Sequence, residues 1–136
     1  MTTVNSTTYT AQSAGKIAVS AGIMNTSLKV ISGDYTASAA ASGTIINLCE
    51  LPENAVIHDV ILDVAALGAS STIKVGDGND DDRYIAAAST ASATTLRTGV
   101  GGKGYRVGTN SGDNLLKATT GGAAITGKVH FTVLYA

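Results

Sequence analysis

Between Ala55 and Ala66 the sequence alternates so regularly (AVIHDVILDVAA) that an extended strand is the conformation it fits. Val56, His58, Val60, Leu62 and Val64 share one face, and Ile57, Asp59, Ile61 and Asp63 the other, because successive strand side chains point to opposite sides. The first face is almost wholly apolar and is expected to look inward; the second is mixed. Turn signals bracket the run. Leu51-Pro52-Glu53-Asn54 precedes it, where Pro52 presets φ and has no N–H to give a central ladder. Gly68-Ala69-Ser70 follows, and Ser71 to Gly76 is expected to return as a hairpin partner with Ile73 and Val75 inward.

The rest of the chain repeats this grammar at shorter range. Leu28 to Ile31, Thr44 to Cys49, Tyr105 to Val107, Asn114 to Ala118 and Ala124 to Tyr135 are strand-like, and Gly121-Gly122 marks a hairpin before the last. In that last run Val129, Phe131, Val133 and Tyr135 fall on one face. Asp34 to Gly43 is rich in Ala and Ser and is expected to be a loop. Arg83 to Ala88 is expected to form a short helical turn capped by an Asp. Ser89 to Thr95 reads as loop and Gly99 to Gly104 as a flexible tip. Residues 1–22, low in apolar bulk, read as an extended arm with an edge strand near Ala14–Val19. The expectation is an all-β chain of about eight strands: one antiparallel β-sandwich or jelly-roll-like domain over residues 23–136, behind the arm.

Composition limits how thick the core can be. Of 136 residues 44% are hydrophobic, but 21 are Ala, and Ile, Leu, Val and Phe together number 31. Such a chain can fold, with a lean core, and association with copies or a partner is a way to bury more surface. The net charge of −1 and three scattered arginines (Arg83, Arg97, Arg106) give no basic stripe for nucleic acid. A single cysteine, Cys49, excludes an internal disulfide and reads as an inert strand thiol. No basic segment followed by an apolar run opens the sequence, so no signal peptide is expected, and no run approaches the length of a membrane helix. Synthesis in the cytoplasm and no membrane role follow as expectations.

The motifs that suggest chemistry fail in detail. Asp77, Asn79 and Asp81 match the first three ligand positions of an EF-hand loop, but Asp82 stands where Gly is needed and Ala88 where a bidentate Glu is needed. A different, weaker calcium site from these carboxylates stays open; the reading favoured is a solvated corner in which an Asp pairs with Arg83. Gly99, Gly101 and Gly104 spell G-x-G-x-x-G, but Tyr105-Arg106-Val107 behind them is strand-like, not the helix start that binds pyrophosphate. His58 and His130 have no Cys, His or Glu at metal spacing, and His58 is expected as a core or interface residue. Asp59 and Asp63 lie about 13 Å apart along one strand, too far for a glycosidase pair. No G-x-S-x-G elbow occurs. No catalytic, metal or cofactor residue is assigned, and the chain is not expected to be an enzyme. Tyr9, Asp80, Asp82, Arg83 and Tyr84 are the candidates for an interface: Tyr9 lies in the arm and the rest at the Asp-rich corner, and Tyr carries a large contact area with a polar tip.

Gly43-Thr44-Ile45-Ile46-Asn47-Leu48, Leu51-Pro52-x-x-Ala55-Val56-Ile57, Val75-Gly76-Asp77, Asp80-x-Asp82-Arg83-Tyr84-Ile85-Ala86-Ala87 and a closing strand ending in Tyr occur in that order. Over Ile31 to Tyr135 this set resembles small structural proteins of tailed bacteriophages, particularly head decoration (cement) proteins. The resemblance implies a β-sandwich subunit on the capsid exterior of the virion. It also implies the major capsid protein as partner, a homo-oligomeric state (dimer or trimer) and an N-terminal arm that grips. A tail or head-fibre module binding host-surface glycan is the alternative; the absence of Trp argues against the aromatic platforms that sugars stack on.

Overall fold

The computed structural model describes residues 28–136. These residues contain nine strands: β1 (Lys29–Ala40), β2 (Ile45–Glu50), β3 (Val56–Val64), β4 (Thr72–Gly76), β5 (Ile85–Ser89), β6 (Thr94–Arg97), β7 (Tyr105–Arg106), β8 (Leu115–Gly121) and β9 (Ile125–Tyr135). One sheet runs β1-β9-β3-β6, with β7 on the start of β3; the other runs β2-β8-β4-β5. All pairings are antiparallel. The chain is therefore an antiparallel β-sandwich. The 1–22 arm and the edge strand near Ala14–Val19 lie outside the described residues.

The core is the set of residues that the two sheets turn toward each other. Val60, Leu62 and Val64 of β3, Val129, Phe131 and Val133 of β9, Ile73 and Val75 of β4, and Leu116 and Ala118 of β8 are all buried. Its thinness shows at two cross-strand pairs. Gly33 opposes Phe131, and a Cβ at Gly33 would lie 3.0 Å from the ring, so the glycine makes room for the one Phe. Ala37 opposes Gly127, two small residues where the strands approach.

The inward face of β3 differs from the expected one at its start. The register between β3 and β9 shifts between Ile57 and Asp59. An extra residue there, His58, resets the alternation. Ile57 is buried and His58 is exposed, while Val60, Leu62 and Val64 keep the expected side. His58 is thus not a core histidine.

Three segments read as loop or helix are strands. Asp34 to Ala40 continues β1, because β9 offers it a partner down to Ile125; pairing overrides the weak preference of an Ala/Ser run. Ile85 to Ser89 pairs with β4 and does not form a helical turn. One turn of helix is too short to nucleate, whereas β4 had a free edge and Ile85 a place in the core. Thr94 to Arg97 pairs with β3. Two expected hairpins are also crossings: β3 to β4 and β8 to β9 each carry the chain from one sheet to the other. The second crossing turns at Gly122, whose φ of 77° and approach to the Ser70 carbonyl leave no space for a side chain. The first holds Leu67 inside through Leu67 N–H to the Thr90 carbonyl (2.9 Å), with the Ser71 and Thr90 hydroxyls bonded at 2.7 Å.

Candidate functional site

The Asp-rich corner, residues 77–84, joins β4 to β5, and its carboxylates divide between an anchor and a tip. Asp77 is the anchor. Its carboxylate is fully buried and accepts from the N–H groups of Asn79 and Asp80, both at 2.8 Å, and from Nε of Arg83 at 2.5 Å. The first two bonds close a turn that keeps the chain from running on as a helix. Gly76 is required beside it, since a Cβ there would meet the Asp80 carbonyl at 2.1 Å.

Arg83 links this anchor to the next loop. Its guanidinium carbon sits 4.1 Å from the Tyr105 ring centroid, and the Tyr105 ring meets the Tyr84 ring edge-on at 6.2 Å. A guanidinium over an aromatic face adds a cation–π attraction to the ion pair. Burial works against the Arg83 charge, but the Asp77 hydrogen bond and charge outweigh it and raise its pKa. The segment between β7 and β8 closes the corner from the other side. Asn79 donates to the Ser111 carbonyl at 3.0 Å and to Asp113 Oδ1 at 2.5 Å, and Gly78 N–H donates to the Gly112 carbonyl at 2.9 Å. Asp113, itself buried, accepts from Asn110 N–H.

Asp80, Asp81 and Asp82 form the tip, with carboxylate oxygens that converge within 4.8 Å. Lys74 on β4 bonds Asp81 at 2.7 Å; that bond lowers the Asp81 pKa and raises that of Lys74. Asp82 shares a hydrogen bond with Asp80, which, with the nearby negative charges, raises its pKa. What the arrangement offers chemically is a compact acidic surface on a rigid base, suited to meeting basic groups of a partner.

The structure brings Asp80, Asp82, Arg83 and Tyr84 to one corner, but only part of that set faces solvent. Asp82 is exposed and Asp80 partly so. Arg83 is committed to Asp77 and Tyr105. Tyr84, expected at an interface, is instead one of the largest fully buried side chains, 1% exposed. Burial raises its pKa, and its hydroxyl has no hydrogen-bond partner. Tyr9 lies outside the described residues. Sequence reasoning missed Asp113 and Asn79 as fixers of the corner; a second Gly/Asn/Asp segment, Gly108 to Asn114, was the available signal. It also missed Asp59. Asp59 is buried on the outer side of β3 beneath Arg97, which bonds its Oδ2 through both Nε (3.0 Å) and Nη2. Gly99 to Gly104 is a turn tied back into the fold: Gly104 N–H reaches the Ile57 carbonyl at 2.7 Å, and Gly102 is packed against Arg83 and Tyr84. The helix start that would bind pyrophosphate is not there; β7 follows the glycines.

Comparison with known proteins places the fold. No family model matches the sequence, and no curated protein matches it. Solved structures that contain similar chains include the following three. One is from the cyanophage Pam1 capsid asymmetric unit, with TM-score 0.68 and 21% identity, covering 99% of this chain and 98% of that one. A second, from the capsid of Ralstonia phage GP4, has TM-score 0.61 and 21% identity over 82% of this chain and 84% of that one. The third, from the acid-stable capsid structure of Helicobacter pylori bacteriophage KHP30, has TM-score 0.60 and 18% identity over 79% and 86%.

Proposed function

We propose that this chain is a non-enzymatic structural protein of a bacteriophage virion, and that within the virion it is a decoration or cement protein on the capsid exterior. The observation that carries this reading is the likeness of its sandwich to chains in three phage capsid structures, along 79 to 99% of its length. The sequence resemblance to head decoration proteins points the same way. The construction of the corner agrees with it: its polar side chains are spent on holding loops together, and its exposed remainder is a rigid acidic surface. The partner is then the major capsid protein in its assembled form, and the subunits bind as a homo-oligomer.

The mechanism needs no chemistry beyond mass action. A ligand that binds the assembled shell and not its dissociated subunits stabilises the shell by about 2.7 kcal/mol per site at a hundredfold excess over Kd. Joining subunits raises the effective concentration of the second contact once the first is made. Asp80 and Asp82 are the described residues proposed at the interface, with Arg83 positioning them and Tyr9 contributing from the arm. The glycan-binding alternative has less support. Of the described tyrosines, Tyr84 is buried and Tyr105 is covered by Arg83.

Purified protein added to undecorated phage heads tests the proposal. It should sediment with the heads and raise their rupture temperature, and Asp80→Lys/Asp82→Lys should weaken both effects. Absence from the exterior of imaged virions, or failure to bind heads at any concentration tried, refutes it.

A further inference from the structure

β1, 12 residues long, lies at the edge of the larger sheet: β9 pairs with one side of it, and among the described residues no strand pairs with the other. Its regular run goes from Lys29 to Ala37, where a bulge ends it and Ala39 turns to a φ of 51°. An open edge is a row of unpaired N–H and C=O groups, which proteins guard with Pro, with charges or with brevity. This run has no Pro, and its only charges are Lys29 and Asp34. Apolar exposure collects beside it. Leu28, Val30 and Tyr35, exposed large hydrophobic residues, lie on or next to β1. Ile45, exposed as well, is on β2, the edge strand of the other sheet, which lies against β1. Grouped exposure of this kind marks an interaction surface, where a lone exposed residue would not.

We infer that this edge pairs with the same edge of a second copy, antiparallel and about a twofold axis at Gly33, so that the two larger sheets run on as one. A twofold interface uses one patch twice, so the patch must complement itself, and opposed residues must share a sheet face. β1 meets both conditions. Gly33 is the midpoint of Lys29 to Ala37, so an axis there uses the whole free run and sets each residue opposite the one equally far beyond Gly33. On the inward side Ile31 then meets the partner's Tyr35, at two symmetric places. Within the chain these two residues stand opposite the buried Val133 and Val129, and at the edge they are left partly open. Gly33 meets its own copy on the axis with no side chain to clash, and Lys29 meets the partner's Ala37 at the end of the run. On the outward side Val30 meets the partner's Thr36, and Ser32 meets the partner's Asp34. No like charges are opposed. Moving the axis by one residue spoils the match. On Ser32, Lys29 would face the partner's Tyr35 and Val30 the partner's Asp34; on Asp34, two carboxylates would face each other. This self-matching pattern selects a second copy over a foreign strand. Main-chain hydrogen bonds supply the attachment, and the side-chain pairs fix its register. The inference gives the homo-oligomer of the proposed function a surface and a symmetry; its test uses no capsid, so its failure leaves the capsid reading standing.

Sedimentation of the full chain over about a hundredfold range of concentration should show a monomer passing into a dimer. Ser32→Lys places an ammonium opposite the partner's Asp34 at both symmetric places and should tighten the dimer at least about threefold. Ser32→Lys/Asp34→Lys sets ammonium against ammonium and should weaken it at least about tenfold. Both positions are exposed, and the Asp34–Lys128 pair that the second variant gives up is exposed too, so circular dichroism should show the fold intact in each. The β1 amides that point away from β9 should exchange slowly in the dimer and faster on dilution. A chain that stays monomeric or forms a trimer overturns the inference. So does a Ser32→Lys protein whose dimer is weakened, because the register is then not the one centred on Gly33. Slow exchange of those amides in a monomer overturns it as well, in favour of another segment of the same chain on the edge.

Discussion

Truncating Arg83 to Ala strips the buried Asp77 carboxylate of its cation. Asp77 would keep its two backbone N–H bonds but lose the guanidinium, in a position with no exposure to water. Breaking a buried pair by removing one partner costs about 3–5 kcal/mol. The two remaining bonds and the partial exposure of Arg83 (22%) put this case near about 3 kcal/mol at the lower end of that range. Loss of the stack on Tyr105 adds about 0.5–1 kcal/mol. For a domain of this size each kcal/mol moves the melting temperature by about 4 °C, so Arg83→Ala should melt about 14–16 °C lower. Asp77→Ala should cost less, about 2 kcal/mol, because the freed guanidinium can turn to water while two N–H groups lose their acceptor. The double variant should then be more stable than the sum of the two losses predicts, by about 2 kcal/mol. Thermal and urea unfolding of the four proteins measure all of this. An Arg83→Ala protein within about 0.5 kcal/mol of the parent, or two losses that simply add, would refute the reasoning.

Asp59 and Arg97 test the same physics at a half-open site: Arg97 keeps 59% of its side chain exposed, so Arg97→Ala lets water reach Asp59 and should destabilise by only about 1 kcal/mol, read from urea midpoints. Gly122→Ala should cost at least about 2 kcal/mol, since it forces a side chain into positive φ and onto the Ser70 carbonyl; an unchanged melting temperature would contradict the geometry. Burial pushes the Cys49 thiol from 9.0 up to about 11. The folded state therefore disfavours the thiolate, so this contribution to stability is complete below pH 9 and is lost as pH rises through about 11. Cys49→Ala should remove that part of the alkaline decline, and native Cys49 should react with a thiol reagent at pH 8 far more slowly than in the unfolded chain.

The sandwich was legible where alternation and bulk coincide. β2, β3, β4, β8 and β9 carry β-branched or Leu residues on an inward face, and turn residues set their ends. β5 and β6 were not legible, because Ala, Ser and Thr commit to no period and become strands only when a free edge is beside them. The phase error at the start of β3 has a single cause: a bulge at His58 leaves no mark in the residues around it. Sheet membership was hidden for a different reason. A glycine pair that bends a hairpin and one that steps between sheets look alike, as Gly121-Gly122 shows. At the corner, the Asp–Arg pair was visible from spacing, but which Asp took the arginine was decided by Asp77 being the one drawn inside. The burial of Tyr84 followed from the same event. Once Ile85 paired opposite Val75, its neighbour was carried into the space beside Tyr105.

β9 zips together β1 and β3, and it comes later in the sequence than everything it joins. A ribosome must release everything up to Tyr135 before the larger sheet has its middle member. Until then β3 has only β6 and β7 beside it, and nothing in that layer joins β1 to it. Assembly of the sandwich is therefore a late, concerted event, slowed by the long loops it must close. A nascent chain interrupted before Ile125 should be a substrate for proteases and not a partly built sandwich.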